Sequence, residues 1–401
     1  MGRYVYEGRD KTGRVNGKLT APSKREAVFK LGESGIRVTK LSEVPETFLT
    51  KDISIGNPVK LQDFVIYLRQ FSTLLKAGIS VVEATNILAK QTESKALRKA
   101  LEQMEEDMRS GNPLSAASSK HSKIFSGMFV NMIRAGEASG NMDETLERLG
   151  EHYEKQNRTK QKIQSALAYP MAVAVVAVGV VIFLLLSVVP TFVTMFEGFG
   201  AELPAITTFV LNASNFMQGY WWVVLILFLL AAGAFIIMRK NPVTRYYLDY
   251  AALRVPIFGK MIQKAVLARM TRTLSSLFSS SVPILQAMSI VEKVVENEVI
   301  AKVISDSKKS LENGFSITEP MKKHWAFPPL ITQMIAIGEE TGSLDAMLGK
   351  VADFYEEEVE NSTDRLKSII EPLMIVLLAG IVGTIVTAII VPMFDIFNHV
   401  Q

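Results

Sequence analysis

The sequence predicts a mainly α membrane protein: two tandem cytoplasmic helical-bundle domains, three transmembrane helices and a small N-terminal ββαβ module. Three observations carry this. The stretch Met132–Leu149, MIRAGEASGNMDETLERL, returns as Met334–Val351, MIAIGEETGSLDAMLGKV, with an offset of 338 − 136 = 202. Self-similarity at a fixed offset marks a duplicated structural unit. Each copy then runs into a long apolar stretch bracketed by prolines, Pro170 and Pro190 in the first and Pro372 and Pro392 in the second. Between these landmarks, apolar residues recur at spacings of three and four, the signature of amphipathic helices.

Composition agrees. The 401 residues suffice for two or three domains, and an apolar fraction of 48% with a mean hydropathy of +0.22 suits membrane spans joined to water-soluble parts. A net charge of +4 gives no reason to expect direct nucleic-acid binding, and the absence of cysteine excludes disulfides, thiolate metal sites and cysteine nucleophiles. No apolar run precedes residue 170, so no signal peptide is expected and the N-terminal part is expected to stay in the cytoplasm.

Residues 1–42 read as the mixed module. RYVYEG and RVNGKLTA are strands about a turn at Arg9–Gly13, where Asp10 and Gly13 fit turn chemistry. Ser23 with Glu26 forms a capping box for a short helix that Gly35 ends, and IRVTKL returns as a strand. Residues 43–58 are a linker carrying Pro45, Gly56 and Pro58.

The first bundle is placed at 59–168. Phe64, Leu68, Phe71, Leu74 and Leu75 form one apolar stripe, Ala77-Gly78 breaks the helix, and a second helix covers Val81–Lys90. Thr92–Arg109 is charged and amphipathic, Gly111-Asn112-Pro113 ends it, and Phe125–Ala135 and Asp143–Gln164 complete the module. The upstream sequence repeats as well: Phe71–Leu88 matches Leu274–Val291 at an offset of 274 − 71 = 203. The second bundle is accordingly placed at 239–370, beginning with an Arg245–Pro256 segment along the inner membrane surface, where Tyr246, Tyr247 and Tyr250 suit an interfacial belt.

Three runs are long enough to span a bilayer. They are assigned to 169–193, 216–238 and 371–394, with an external loop at 194–215 and an external tail at 395–401. Arg158, Lys160 and Lys162 precede the first; Arg239, Lys240 and Arg245 follow the second; Arg365 and Lys367 precede the third. The outer loop and tail carry no Lys or Arg. The asymmetry puts the N-terminus and both modules inside and the C-terminus outside.

Catalytic vocabulary is absent. There is no Walker A sequence, the histidines form no HExxH pattern, and no Ser-centred nucleophile elbow occurs. No catalytic, cofactor or metal residue is assigned, and the protein is expected not to be an enzyme. The duplicated Gly136-Glu137…Gly140 and Gly338-Glu339…Gly342 carry two readings. In one they build a helix–turn–helix corner, Gly140 and Gly342 taking positive φ and Asp143 and Asp345 opening the next helix. In the other, Glu137 and Glu339 contact a partner or an ion. Tyr169-Pro170 and Glu371-Pro372 sit where bundle meets membrane. There proline either begins a helix or kinks a continuous one, which makes these four residues a candidate hinge. Pro190 and Pro392 are expected to stop the spans.

The spans hold Ser187, Thr191, Thr384 and Thr387 but no ionisable residue in their interior, Glu371 lying at the inner edge of the third, and Gly179, Gly380 and Gly383 suit close helix packing. This pattern, with an odd number of spans, disfavours a transporter or channel with cytoplasmic regulatory bundles, and the lack of paired acids or a Ser/His set disfavours an intramembrane enzyme.

The N-terminal YVYEGRDKTGRVNGKLTAPSKREAVFKL, the paired LRQFSTLLKAGISVVEA and MTRTLSSLFSSSVPILQA, and the paired GEASGNMDETL and GEETGSLDAML resemble the inner-membrane platform proteins of type IV pilus and type II secretion machines, over essentially the whole chain. Copy one has the family's Gly78-Ile79 after its first helix; copy two departs with Ser281-Val282. The resemblance implies a multi-pass protein of the bacterial inner membrane, without enzymatic activity or cofactor, in a pilus, secretion or DNA-uptake machine. The implied partners are a hexameric cytoplasmic ATPase, pilin or pseudopilin subunits, other inner-membrane assembly proteins and further copies of itself as a dimer or trimer.

Overall fold

The computed structural model describes residues 2–9, 13–21, 24–33, 35–43, 58–197, 204–256 and 258–399. The chain divides into two compact units, Met1–Pro58 and Val59–Gln401.

In the first unit, strands β1 (Gly2–Arg9) and β2 (Arg14–Ala21) are followed by helix α1 (Lys24–Glu33) and strand β3 (Arg37–Glu43). The sheet is antiparallel with order β2-β1-β3, Tyr4 opposite Leu19 on one side and Glu43 on the other. Helix α1 ends as the sequence requires: Gly35 takes φ +74°, and the Ile36 N–H donates to the Leu31 carbonyl at 2.9 Å. The Asp10 turn position, the Ser23 cap and linker residues 44–57 lie outside the described residues.

The second unit opens with α2 (Leu61–Lys76), α3 (Val81–Gln91), α4 (Lys95–Arg109), α5 (Leu114–Ser119), α6 (Gly127–Ser139) and α7 (Met142–Phe183). The apolar stripe of α2 buries Phe64, Leu68 and Phe71. Phe64 meets Phe125, Phe129 and Tyr153 at ring-centroid distances of 5.8, 5.9 and 4.9 Å. Ser80 and Ser94 cap α3 and α4 by accepting from the N–H groups of Glu83 and Leu97. A π-helical turn, Leu184–Val188, then leads into α8 (Val189–Glu197), and α9 (Ala205–Lys240) follows.

The second module comprises α10 (Pro242–Arg254), α11 (Phe258–Ser279), α12 (Ile284–Val294), α13 (Glu298–Glu312), α14 (Thr318–Lys322), α15 (Pro329–Thr341) and α16 (Leu344–His399). Helices α11 to α16 reproduce α2 to α7, and the two modules share one hydrophobic core that runs from Phe64 and Leu146 to Leu274 and Ile335. Helix α10 is docked on this module. Asp249 accepts from the Glu298 N–H at the start of α13, Tyr250 packs on Trp325 at 5.6 Å and Arg254 lies 4.5 Å over the same indole. Tyr247 stays exposed.

Three helical stretches are long and apolar enough to cross a membrane: within Met142–Phe192, Ala205–Arg239 and Leu344–Pro392. Several boundaries differ from the sequence reading. Helix begins at Ala205, inside the segment read as an external loop. Pro170 and Pro372 do not start helices but lie within α7 and α16, which run continuously through them. Pro190 and Pro392 do not stop helices: α8 continues to Glu197 and α16 to His399.

The outer prolines are tolerated because α9 supplies the missing donors. A proline removes the N–H that would serve the carbonyl one turn earlier. For Pro392 that carbonyl belongs to Ala388, and the buried Thr207 hydroxyl donates to it at 2.7 Å. In the π turn, the Val189 N–H reaches back to the Leu184 carbonyl. The next such donor, to Leu185, would be residue 190, a proline, and the buried Ser214 hydroxyl donates there instead at 2.5 Å. A small apolar cluster of Val189, Val210, Ile385 and Ala388 surrounds these bonds. Hydroxyl-to-carbonyl bonds of this kind are the usual way membrane helices re-satisfy backbone groups freed by proline.

Candidate functional site

The duplicated motif is accounted for atom by atom as a corner. Gly136 is buried on α6 where a Cβ would come within 2.5 Å of the Thr145 hydroxyl on α7, and Gly338 is similarly 3.0 Å from Leu344. Gly140 and Gly342 end α6 and α15 in the left-handed region, with φ +78° and +70°. Asp143 and Asp345 fall in the first turns of α7 and α16. The Glu137 carboxylate accepts from the Ser115 N–H at 3.1 Å and from its hydroxyl at 2.5 Å. Glu339 does the same with the Ile317 N–H at 3.1 Å and the Ser316 hydroxyl at 2.6 Å. Each glutamate therefore clamps the start of a short helix, α5 or α14, onto the corner. Among the described residues no cluster of His, Asp or Glu is arranged to hold a metal.

Below the corners, α7 and α16 run side by side towards their apolar ends, and a ladder of ion pairs joins them. Lys155 donates to Asp353 at 2.7 Å, Arg272 of α11 grips Glu356 with two nitrogens at 2.7 and 2.8 Å, and Lys162 pairs with Glu360. Arg272 also pairs with Asp353. Partial burial would raise the Asp353 carboxyl, but Lys155 and Arg272 outweigh it and hold it below the usual range. The mostly exposed Lys155 and Lys162 pairs, which link α7 to α16, contribute little stability, whereas the bidentate, largely buried Arg272–Glu356 pair fixes α11 against α16 within the second module.

One contact in this region was missed in the sequence. His152 is fully buried on α7, its Nδ1 3.3 Å from the Ser276 hydroxyl on α11. Burial first, then the Arg272 and Arg269 charges, push its pKa down to about 3. Arg148 on the same face donates to the Ser279 carbonyl. The signal was available: at the matching positions the second copy has Phe354 and Lys350.

Three of the four candidate hinge residues line one cavity. Tyr169 and Pro170 face Glu371 across a cavity of about 240 Å³, closed further by Val173, Ile375 and Leu378 and flanked by Ser165 and Lys367, and Pro372 does not line it. The carbonyls that Pro170 and Pro372 deprive of a donor are those of Ala166 and Ser368. Among the described residues, no side chain donates to either, in contrast to the outer pair.

Two modules, each continuous with an apolar helix that carries a proline at the matching position, define a membrane protein whose modules run without a break into its spans. Comparison with known proteins identifies which. Residues 67–190 and 270–392 each match the family model described as type II secretion system (T2SS), protein F, and residues 1–42 match its N-terminal domain. The chain belongs to the type II secretion system protein F family. It is 39% identical to the type IV pilus assembly protein PilC of Thermus thermophilus over 98% of both chains. It is 33% identical to the PilC of Myxococcus xanthus, over 100% of this chain and 96% of the relative. It is 31% identical to the type II secretion system protein F of Xanthomonas campestris over the full length of both.

Proposed function

We propose that this protein is a non-enzymatic inner-membrane platform that passes mechanical work from a cytoplasmic hexameric ATPase to filament subunits leaving the membrane. The carrying observation is the continuity of α7 and α16, which run from their modules through Pro170 and Pro372 into the apolar spans. A rotation or tilt imposed on a module is thereby delivered to the bilayer, with the donor-deficient proline turns as the compliant points. Positive charge before the first and third spans and after the second supports an inside location for both modules and an outside C-terminus. Identities of 33–39% to several pilus-named relatives, against 30–31% to secretion-named ones, favour a type IV pilus over a secretion filament.

In-cell photo-cross-linking from the exposed Ala138 and Glu340, with captured proteins identified by mass spectrometry, tests this. An assembly ATPase or pilin-like subunits are expected. Capture of neither from these or other module surfaces, together with solute flux in proteoliposomes, would replace the platform with a transporter.

A further inference from the structure

Where α7 and α16 enter their apolar stretches, the lining of the cavity between them changes polarity turn by turn. On the side of the modules it begins with Ser165 and Lys367. One turn on come Tyr169 and Glu371, and beyond them Val173, Met374, Ile375 and Leu378. Polar, then charged, then apolar is the order of groups in an amphiphile laid along the two helices. The change falls at the edge of the spans, where a bilayer places its headgroups.

The charges select the amphiphile. The groove on the module side of the cavity is lined by Arg158, Lys162, Glu360, Asp364 and Lys367 among others. Each of these is already matched: Arg158 with Glu154, Lys162 with Glu360 and Lys367 with Asp364. Glu371 has no ion-pair partner among the described residues, although Lys367 stands one turn away on the same helix. Beside it lies Ala166, a buried part of the same lining, whose carbonyl Pro170 leaves without its helical donor. The cavity therefore holds a surplus carboxylate and a surplus carbonyl, both acceptors, above an apolar floor.

We propose that this cavity binds one aminophospholipid, a zwitterionic lipid whose headgroup carries a primary ammonium. The ammonium has three donors; it donates to the Glu371 carboxylate and has another N–H for the Ala166 carbonyl. The phosphate lies towards Ser165 and Lys367, whose own ammonium keeps donors free beside Asp364. One acyl chain follows Val173, Ile375 and Leu378. An anionic lipid would bring its charge against Glu371, held only by a lysine already shared with Asp364. A choline lipid has the positive charge but no N–H to donate. Both charges of the cavity come from the second copy, the first having Ser165 and Tyr169 at those positions, so the chain has one such site and not two. The inference rests on α7 and α16 crossing a membrane and not on which machine the chain serves.

The purified full chain, stripped of lipid in detergent, is titrated with dioleoyl phosphatidylethanolamine, phosphatidylglycerol or phosphatidylcholine, and retained lipid is counted by native mass spectrometry. One phosphatidylethanolamine per chain is expected, at concentrations about tenfold below those the other two need, the worth of one charge-assisted hydrogen bond. Glu371→Gln should erase that preference and Val173→Trp, which fills the cavity, should abolish retention, the thermal midpoint showing that each variant is folded. Soluble phosphoethanolamine, the headgroup without its chains, should not displace the lipid. A diazirine-bearing phosphatidylethanolamine, which needs no variant, should label wild type within residues 165–173 or 367–378. Equal retention of the three lipids, preference for phosphatidylglycerol, a preference that survives Glu371→Gln, displacement by the soluble headgroup, or labelling confined to other residues overturns the proposal.

Discussion

Glu137 and Glu339 each hold a short helix by accepting a backbone N–H and a hydroxyl. Removing such an acceptor strands two partly buried donors, at about 1–3 kcal/mol. Glu137→Ala and Glu339→Ala should each lower the thermal midpoint measurably, while Glu137→Gln, which keeps an oxygen, should lose less. A loss of filament assembly with an unchanged midpoint would instead assign the glutamates to a partner. The Gly-Glu-x-x-Gly pattern was legible as a corner because glycine at positive φ and acids at a helix start are local rules. The clamp was not, because its donors lie 22 residues upstream. Ser281 illustrates the opposite case. It adopts φ +58° where its counterpart Gly78 has +83°, and the Val282 N–H still reaches the Leu277 carbonyl as Ile79 reaches Leu74. The turn survives a non-glycine residue because the packed helices on both sides fix it, a constraint that sequence chemistry alone does not contain.

At the scale of the helix, the four prolines divide into two kinds. Thr207 and Ser214 serve the carbonyls near Pro392 and Pro190, so the outer ends of the three spans are tied together. Pro170 and Pro372 lack such service among the described residues, and Pro170 lines a cavity. Proline in a helix interior costs about 3 kcal/mol, so Pro170→Ala with Pro372→Ala should raise the thermal midpoint in detergent yet reduce filament output; unchanged output would remove the hinge from the mechanism. Thr207→Val is the contrasting variant. It should lower the midpoint by roughly 0.6–2 kcal/mol equivalent, since it strands the Ala388 carbonyl. The sequence showed where the prolines were but not how they were accommodated. Thr207 and Ser214 lie in a stretch whose mixed polarity read as loop, and their partners are 181 and 29 residues away.

Across the whole molecule, duplication made the architecture readable, and departures from duplication decide how the halves meet. Leu68, Phe71 and Leu146 match Thr271, Leu274 and Leu348 and are buried in both copies, because each module must fill its own core. His152 and Phe354 differ because only one of those faces is covered within the chain. The consequence is a dependence on pH. An ordinary histidine has a pKa near 6.5, and His152 in the fold is held near 3. Between those values the unfolded chain binds a proton that the folded chain refuses. Stability therefore falls as pH drops below about 6.5, by up to about 1.4 kcal/mol per pH unit, and this loss levels off near the folded value. His152→Gln, which keeps a hydrogen-bonding group beside Ser276 without the titration, should flatten the decline of the thermal midpoint between about pH 6.5 and pH 4 by one proton's worth. If wild type and variant decline in parallel, the join between the modules is not where acid acts, and the carboxylates of the Arg272 ladder become the groups to replace next.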